Sequence, residues 1–246
     1  MNFRHLPVFA VVSVLAAQSG EIVLRIPPTT ASFDAGGHPV AVTVWGSLSR
    51  TSADMFRLTL TADLGDLQQN ITPLLRSQMD RSDRCGERLS VEQAALVPAA
   101  PDSLLSATVH YERWGCMKAF GKEAVKKLVG GNATLKVKLT PSVEANAVSL
   151  QAEVVGLEAD GSLGELLRSG SMGDTLKEKI AASVRSAIQK ATNFNNAIPP
   201  EIQSAATIWS VAFTSGREGR LCIESTAEAR ISADRLKLFG KQLESR

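Results

Sequence analysis

The chain has 246 residues, 44% of them hydrophobic and 21% charged, and its 27 Lys and Arg against 25 Asp and Glu give a formal net charge of +2. These are the proportions of an ordinary globular protein, and they exclude a disordered, collagen-like or nucleic-acid-coating chain. Three cysteines cannot form a disulfide scaffold, and three histidines leave little for a catalytic or metal centre.

The first segment has a short basic start (Arg4, His5), an apolar run from Val8 to Ala17, and the small polar stretch Gln18, Ser19, Gly20. This is the layout of a secretory signal peptide, and the run of about ten residues is too short to span a bilayer as a helix. The expectation is an exported protein with a leader over residues 1–17, cut after Ala16, Ala17 or Ser19, and one domain over 18–246. No cysteine follows the apolar run to take a lipid anchor.

Past the leader, alternation of apolar and polar residues dominates, as expected of strands with one buried face. A strand over 40–48 is followed by Phe56, Leu58, Leu60, Ala62 and Leu64 alternating with Arg57, Thr59, Thr61 and Asp63. Residues 64–80 then switch to helical spacing, with Leu67, Ile71, Leu74, Leu75 and Met79 on one stripe. Pro73 either kinks that helix or starts a shorter one capped by Thr72. Cys85 and Cys116 bracket two alternating runs joined by a turn at residues 98–102. Facing residues of a hairpin have a constant sum of numbers, and 85 and 116 sum to 201, which puts the symmetry point between Ala100 and Pro101 inside that turn. A Cys85–Cys116 disulfide is expected if the register carries no bulge, with Cys222 left free and half-exposed. Closing a loop of about 30 residues contributes roughly 3 to 4 kcal/mol in the chain-entropy model.

Further on, Leu135, Val137 and Leu139, then Val148, Leu150, Ala152 and Val154, predict another strand pair around a turn at 141–146. A helical turn is expected at 163–167. Asp174 then caps a long helix over 174–191, with Leu176, Ile180, Val184 and Ile188 on its stripe and Lys177, Lys179, Arg185 and Lys190 on the other face. Trp209, Val211 and Phe213 share one face of a strand, and Leu221, Ile223, Ser225, Ala227, Ala229 and Ile231 share one face of the next. A C-terminal helix over 233–243 ends the series. About eight strands with short connections read as a meandering antiparallel sheet.

No motif carries catalysis. The run from Gly115 to Lys122 has five residues between its glycines where a phosphate loop has four, and Glu123 stands where a Ser or Thr belongs; a strand end followed by a basic turn explains it. At 169–173 the leading Ser169 breaks the nucleophile-elbow pattern. His38 and His110 have no ligand-type partner at helical spacing, so no metal site is expected. Glu224, Glu228 and Arg230 share the polar face of one strand, which reads as a solvated surface.

What remains, a β-meander with a shorter helix at residues 71–79, a long helix at 174–191 and a final strand pair, resembles the tubular lipid-binding (TULIP) superfamily in pattern and element order. The alternating strands between 89 and 154 and between 207 and 231 carry the resemblance with the two helices. It implies an α+β fold in which a strongly twisted antiparallel β-meander wraps a long amphipathic helix and a second shorter one. It also implies an apolar, lipid-like ligand held between sheet and helices without catalysis or cofactor. Leu176, Ile180, Val184 and Ile188 would line that space with Leu67, Ile71 and Leu75. The strands over 21–64 depart from the family, which often begins with the helix. Two other readings stay open: an envelope protein whose sheet edge or basic helix face binds another protein, motivated by polar strand faces bearing Arg57, Arg113, Lys136 and Lys138, with transient membrane contact through that helix face; and a hydrolase using His38 or His110 as base.

Overall fold

The computed structural model describes residues 21–35, 37–119, 122–168, 171–192, 205–232, 234 and 236. The expected leader and nearly all of the expected C-terminal helix lie outside them. Among the described residues ten strands form two five-stranded antiparallel sheets. In the first, β1 (Ile22–Ala35), β2 (His38–Arg50) and β3 (Met55–Asp63) follow one another, and β10 (Leu221–Arg230) and β9 (Ala206–Ser215) return to give the order β1-β2-β3-β10-β9. The second is a meander in chain order: β4 (Arg81–Ser82), β5 (Gly86–Ala99), β6 (Asp102–Ala119), β7 (Lys122–Glu144) and β8 (Ala147–Ala159).

The expected single meander wrapped on one long helix is therefore overturned. Alternation reports which face of a strand is buried but not which strand lies beside it, and β10 pairs with β3 instead of extending the meander from β8. Helical packing is divided among four elements, α1 (Gly65–Gln69), α2 (Ile71–Met79), α3 (Gly161–Arg168) and α4 (Ser171–Thr192), and α4 lies against β8 and α2. It begins three residues before Asp174, so that carboxylate sits in the first turn, where the helix dipole favours it.

The break between α1 and α2 falls at Asn70, whose side-chain amide donates to the Asp66 carbonyl at 3.0 Å and to Asp66 Oδ1 at 2.9 Å. Pro73 lies in the first turn of α2, where its missing N–H has no intrahelical acceptor to lose. Thr72 is not a cap. Its hydroxyl accepts from the Ala94 N–H at 2.9 Å and donates to the Ala94 carbonyl at 3.0 Å, tying α2 to β5.

Both sheets and the helices contribute to one buried cluster, including Val40, Val42, Leu64, Leu74, Leu105, Leu135, Val184 and Phe213. A second cluster around Leu48, Phe56, Leu58 and Ala229 covers the far part of the first sheet. Keeping one face buried along such long strands requires changes of phase. On β5, Leu89 and Val91 face inward opposite Tyr111 and Val109, whereas Ala94 and Leu96 face inward opposite Ala107 and Leu105; Glu92 is the extra residue between them. Leu128 on β7, Val155 on β8 and Trp209 on β9 likewise fall at register shifts. Trp209 is consequently 57% exposed and does not share the face of Phe213, contrary to the simple alternation, and Ile208 takes the inward place opposite Ala227. Cys222 is free but only 4% exposed, not half-exposed, because the turn at Gly216 folds against its sulfur.

Side chains of α2 hold the β5 bulge. Arg76 Nε donates to the Val91 carbonyl at 2.7 Å and Nη2 to the Glu92 carbonyl at 2.6 Å, while the Val91 N–H donates to Asp80 Oδ1 at 2.8 Å. No helix among the described residues is long and apolar enough to cross a membrane. Arg76→Met, which keeps the stem and removes both charged donors, is expected to lower stability by about 1.5 to 3 kcal/mol, measured as a lower urea midpoint with unchanged slope. An unchanged midpoint would mean that packing alone sets the bulge.

Candidate functional site

The residues proposed from sequence to line a ligand space fall into the shared core. Leu67, Ile71, Leu75, Ile180, Val184 and Ile188 are all buried in the one cluster; the side chain of Leu176 lies outside the described residues. A hollow beside them, between Met79, Leu89, Tyr111 and Ile180, has a volume of about 30 Å³, room for about one water molecule. Two larger hollows lie elsewhere, and none of the six described side chains lines either. One of 490 Å³ is lined by residues 154–160 with Gly164, Asp174 and Lys177, and one of 450 Å³ lies at the Pro27–Pro28 irregularity of β1 beside Trp45.

A different feature stands out on the second sheet. Its β5–β6 pairing ends at Gly86 opposite Trp114, and its β7–β8 pairing ends at Ala159 opposite Ala133. β6 and β7 continue past both neighbours, from the Trp114 and Lys127 pair to the Ala119 and Lys122 pair, as a two-stranded arm. An isolated two-stranded ribbon is marginal in water, and this one is fastened at its base. Cys116 is bonded to Cys85, with Cα atoms 5.5 Å apart, and the Arg88 guanidinium lies 4.3 Å from the centre of the Trp114 ring. The disulfide is thus as expected, although the register is not unbroken. Ala99 faces Asp102 and Gln93 faces Thr108, both pairs summing to 201, but Val91 faces Val109, summing to 200. Cys85, one position out of step with Cys116, reaches it where Gly86 turns the chain with φ of +145°.

The arm carries the inward face of the sheet out past the helices that cover it. Arg113 and Val129 are its last pair before the Leu128 bulge; beyond it Gly115 faces Lys126 and Met117 faces Ala124 on the same side. A Cβ on Gly115 would touch the Leu128 side chain at 3.1 Å, which puts Leu128 on that side too. Met117 is 69% and Leu128 63% exposed, the two most exposed of the large apolar side chains among the described residues. In sequence, residues 114–128 hold four lysines, Lys118, Lys122, Lys126 and Lys127, against the single acid Glu123.

A polar hub braces the opposite face at the base. Glu112 accepts from Lys127 Nζ at 2.5 Å, Trp114 Nε1 at 2.8 Å and His110 Nε2 at 3.3 Å, and His110 Nδ1 lies 2.6 Å from Asn132 Oδ1. Three donors, Lys127 foremost and then Trp114 and His110, hold the Glu112 carboxyl down at about 2. The hydrogen bond to Asn132, and after it the one to Glu112, raises His110 above its ordinary value of 6.5. Both acceptors are satisfied only by the doubly protonated ring. Arg113 pairs with Glu87 at 3.0 Å on the other side of the strand.

Sequence reasoning singled out Gly115 to Lys122 only as a failed phosphate loop, and it missed Met117 and Leu128. The available signal was the loss of regular alternation between Cys116 and Leu135. Among the described residues no group of three His, Cys, Asp or Glu is placed to hold an ion.

The signs of the two shifts predict a pH window for the hub. The Glu112 contribution is present above its ordinary value of 4.5 and is lost as pH falls through about 2; the His110 contribution is present below 6.5 and is lost as pH rises through its raised value. Titration by NMR should place the His110 midpoint above 6.5, and Glu112→Gln should bring it down while moving the Trp114 indole N–H resonance. A His110 midpoint at or below 6.5 in the parent protein would contradict the geometry. No family model, no curated protein and no solved structure matches the chain.

Proposed function

We propose that the protein is an exported, non-enzymatic envelope component that acts by docking, with the β6–β7 arm as its contact surface and the two sheets as the scaffold that holds it. The observation that carries this reading is the arm itself: a hairpin fastened by a disulfide, extending beyond its neighbouring strands, with Met117 and Leu128 exposed on the face that elsewhere forms the core. Exposed large apolar side chains grouped on one face mark contact sites more often than lone ones do. Export is supported by the layout of the first 20 residues and agrees with the Cys85–Cys116 bond, since such bonds persist in oxidising compartments.

The lipid-carrier reading drawn from the resemblance has weaker support. Ligand pockets run to about 300 to 1,000 Å³, whereas the hollow beside the candidate lining side chains is far smaller. Recovery of a stoichiometric lipid from the protein purified out of its native host would reinstate it.

The docking reading is tested by placing a photo-crosslinking amino acid at Met117 and, as a control, at exposed Glu144 on the opposite end of β7. Illumination of intact native-host cells should give a protein or lipid adduct, resolved by mass spectrometry, at position 117 and none at 144. The absence of any adduct at 117, or equal labelling at both positions, would refute it.

A further inference from the structure

We infer that the arm docks on the surface of an anionic lipid bilayer; this rests on the docking reading and names its partner. Two kinds of group lie together there. Met117 and Leu128 offer apolar side chains to the outside, and Lys126, opposite Gly115, stands between them on the same face. Lys118, opposite Glu123, lies on the other face toward the tip, and both Lys118 and Lys126 are exposed. Lys127 is held in the Glu112 hub, so it braces the arm.

Charge complementarity selects the occupant. The whole chain has a formal net charge of +2, yet residues 114–128 alone hold four lysines and one acid, so the remainder is slightly negative. The positive charge is therefore concentrated on the element that carries the two most exposed large apolar side chains among the described residues. Lysines beside exposed apolar groups suit a surface with anionic headgroups above an apolar layer. A uniformly acidic protein surface would answer the lysines but leave Met117 and Leu128 without a matching apolar partner.

The backbone limits how deep the arm can go. Past Trp114 on β6 and past Ala133 on β7 the described residues provide no further strand, so the outer edges of the ribbon carry peptide groups without a ladder partner there. Such edges cannot enter the hydrocarbon region. The arm lies in the headgroup layer, with Met117 and Leu128 reaching the acyl boundary, and the protein is peripheral and released by salt.

The test is flotation of the full chain with vesicles of phosphatidylcholine alone and of phosphatidylcholine with phosphatidylglycerol. The parent protein should float with the mixed vesicles, not with the neutral ones, and should be released at 1 M salt, where the Debye length falls to about 3 Å. Lys118→Gln with Lys126→Gln should reduce partitioning by roughly thirtyfold, since each surface lysine contributes about a factor of five. Met117→Ser with Leu128→Ser should weaken binding with little change in its salt dependence. All four positions are surface sites, and thermal melts check that the variants fold. Equal flotation with both vesicle types, or no loss in the folded lysine variant, would overturn the proposal. If the protein floats with neither while a probe at Met117 still crosslinks a protein in cells, the lipid inference fails and the docking reading stands. If neither flotation nor crosslinking occurs, both fail.

Discussion

Everything in the second sheet depends on keeping one apolar face continuous along strands too long for unbroken alternation. A strand that changes phase without adding a residue would turn its apolar set outward. In the second sheet each change of phase coincides with one extra residue, Glu92, Leu128 or Val155; Trp209 does the same in the first, where β1 also shifts register at Val23 and at Pro27–Pro28. The cost is visible at the surface, because a bulged residue leaves the ladder. Leu128, Val155 and Trp209 are among the exposed large apolar side chains for this reason. Val155 and Trp209 stand on different strands away from the arm, whereas Leu128 has Met117 nearby on the same face, and that pairing turns a register feature into a surface.

Polar side chains then fasten the strands where ladder bonds end. Asp66 Oδ2 accepts from the Ala41 N–H at 2.7 Å, and the Gln68 side chain accepts from the Leu221 N–H at 3.0 Å, so α1 grips the first sheet as α2 grips the second through Thr72, Arg76 and Asp80. Asn146, with φ of +62° in the turn between β7 and β8, bonds the carbonyl of Ala206 at 2.9 Å and the N–H of Ile208 at 2.7 Å, tying that turn to β9. These contacts satisfy backbone groups that would otherwise meet another chain or be buried without a partner. The scaffold is thereby closed by side chains over much of its margin, while the arm projects from it.

The buried faces of individual strands were legible in sequence. Phe56, Leu58, Leu60 and Ala62, the series Leu135, Val137 and Leu139, and the odd-numbered residues from Leu221 to Ile231 are all inward as alternation requires. The turn between Ala99 and Asp102 was legible too, as was the disulfide between Cys85 and Cys116. Pairing of β10 with β3 was not, because the residues that meet are more than 150 positions apart and no local pattern encodes the neighbour. Trp209 was misplaced because a bulge looks like alternation until its partner strand is known. The candidate surface was hidden for a related reason. Whether Met117 and Leu128 are buried depends on where β5, β8 and the helices stop, and two apolar residues in a lysine-rich stretch read equally well as strand ends.

The bulge at Leu128 decides which side chains the arm presents, and cross-strand nuclear Overhauser contacts between backbone protons of β6 and β7 measure it directly. The predicted pattern pairs Arg113 with Val129 and Trp114 with Lys127, leaves Leu128 unpaired, and continues with Gly115 opposite Lys126 and Met117 opposite Ala124. A pattern that places Trp114 opposite Leu128, continuing the register of the Arg113 and Val129 pair without a break, would turn Lys126 to the other face and contradict the surface on which the docking account rests.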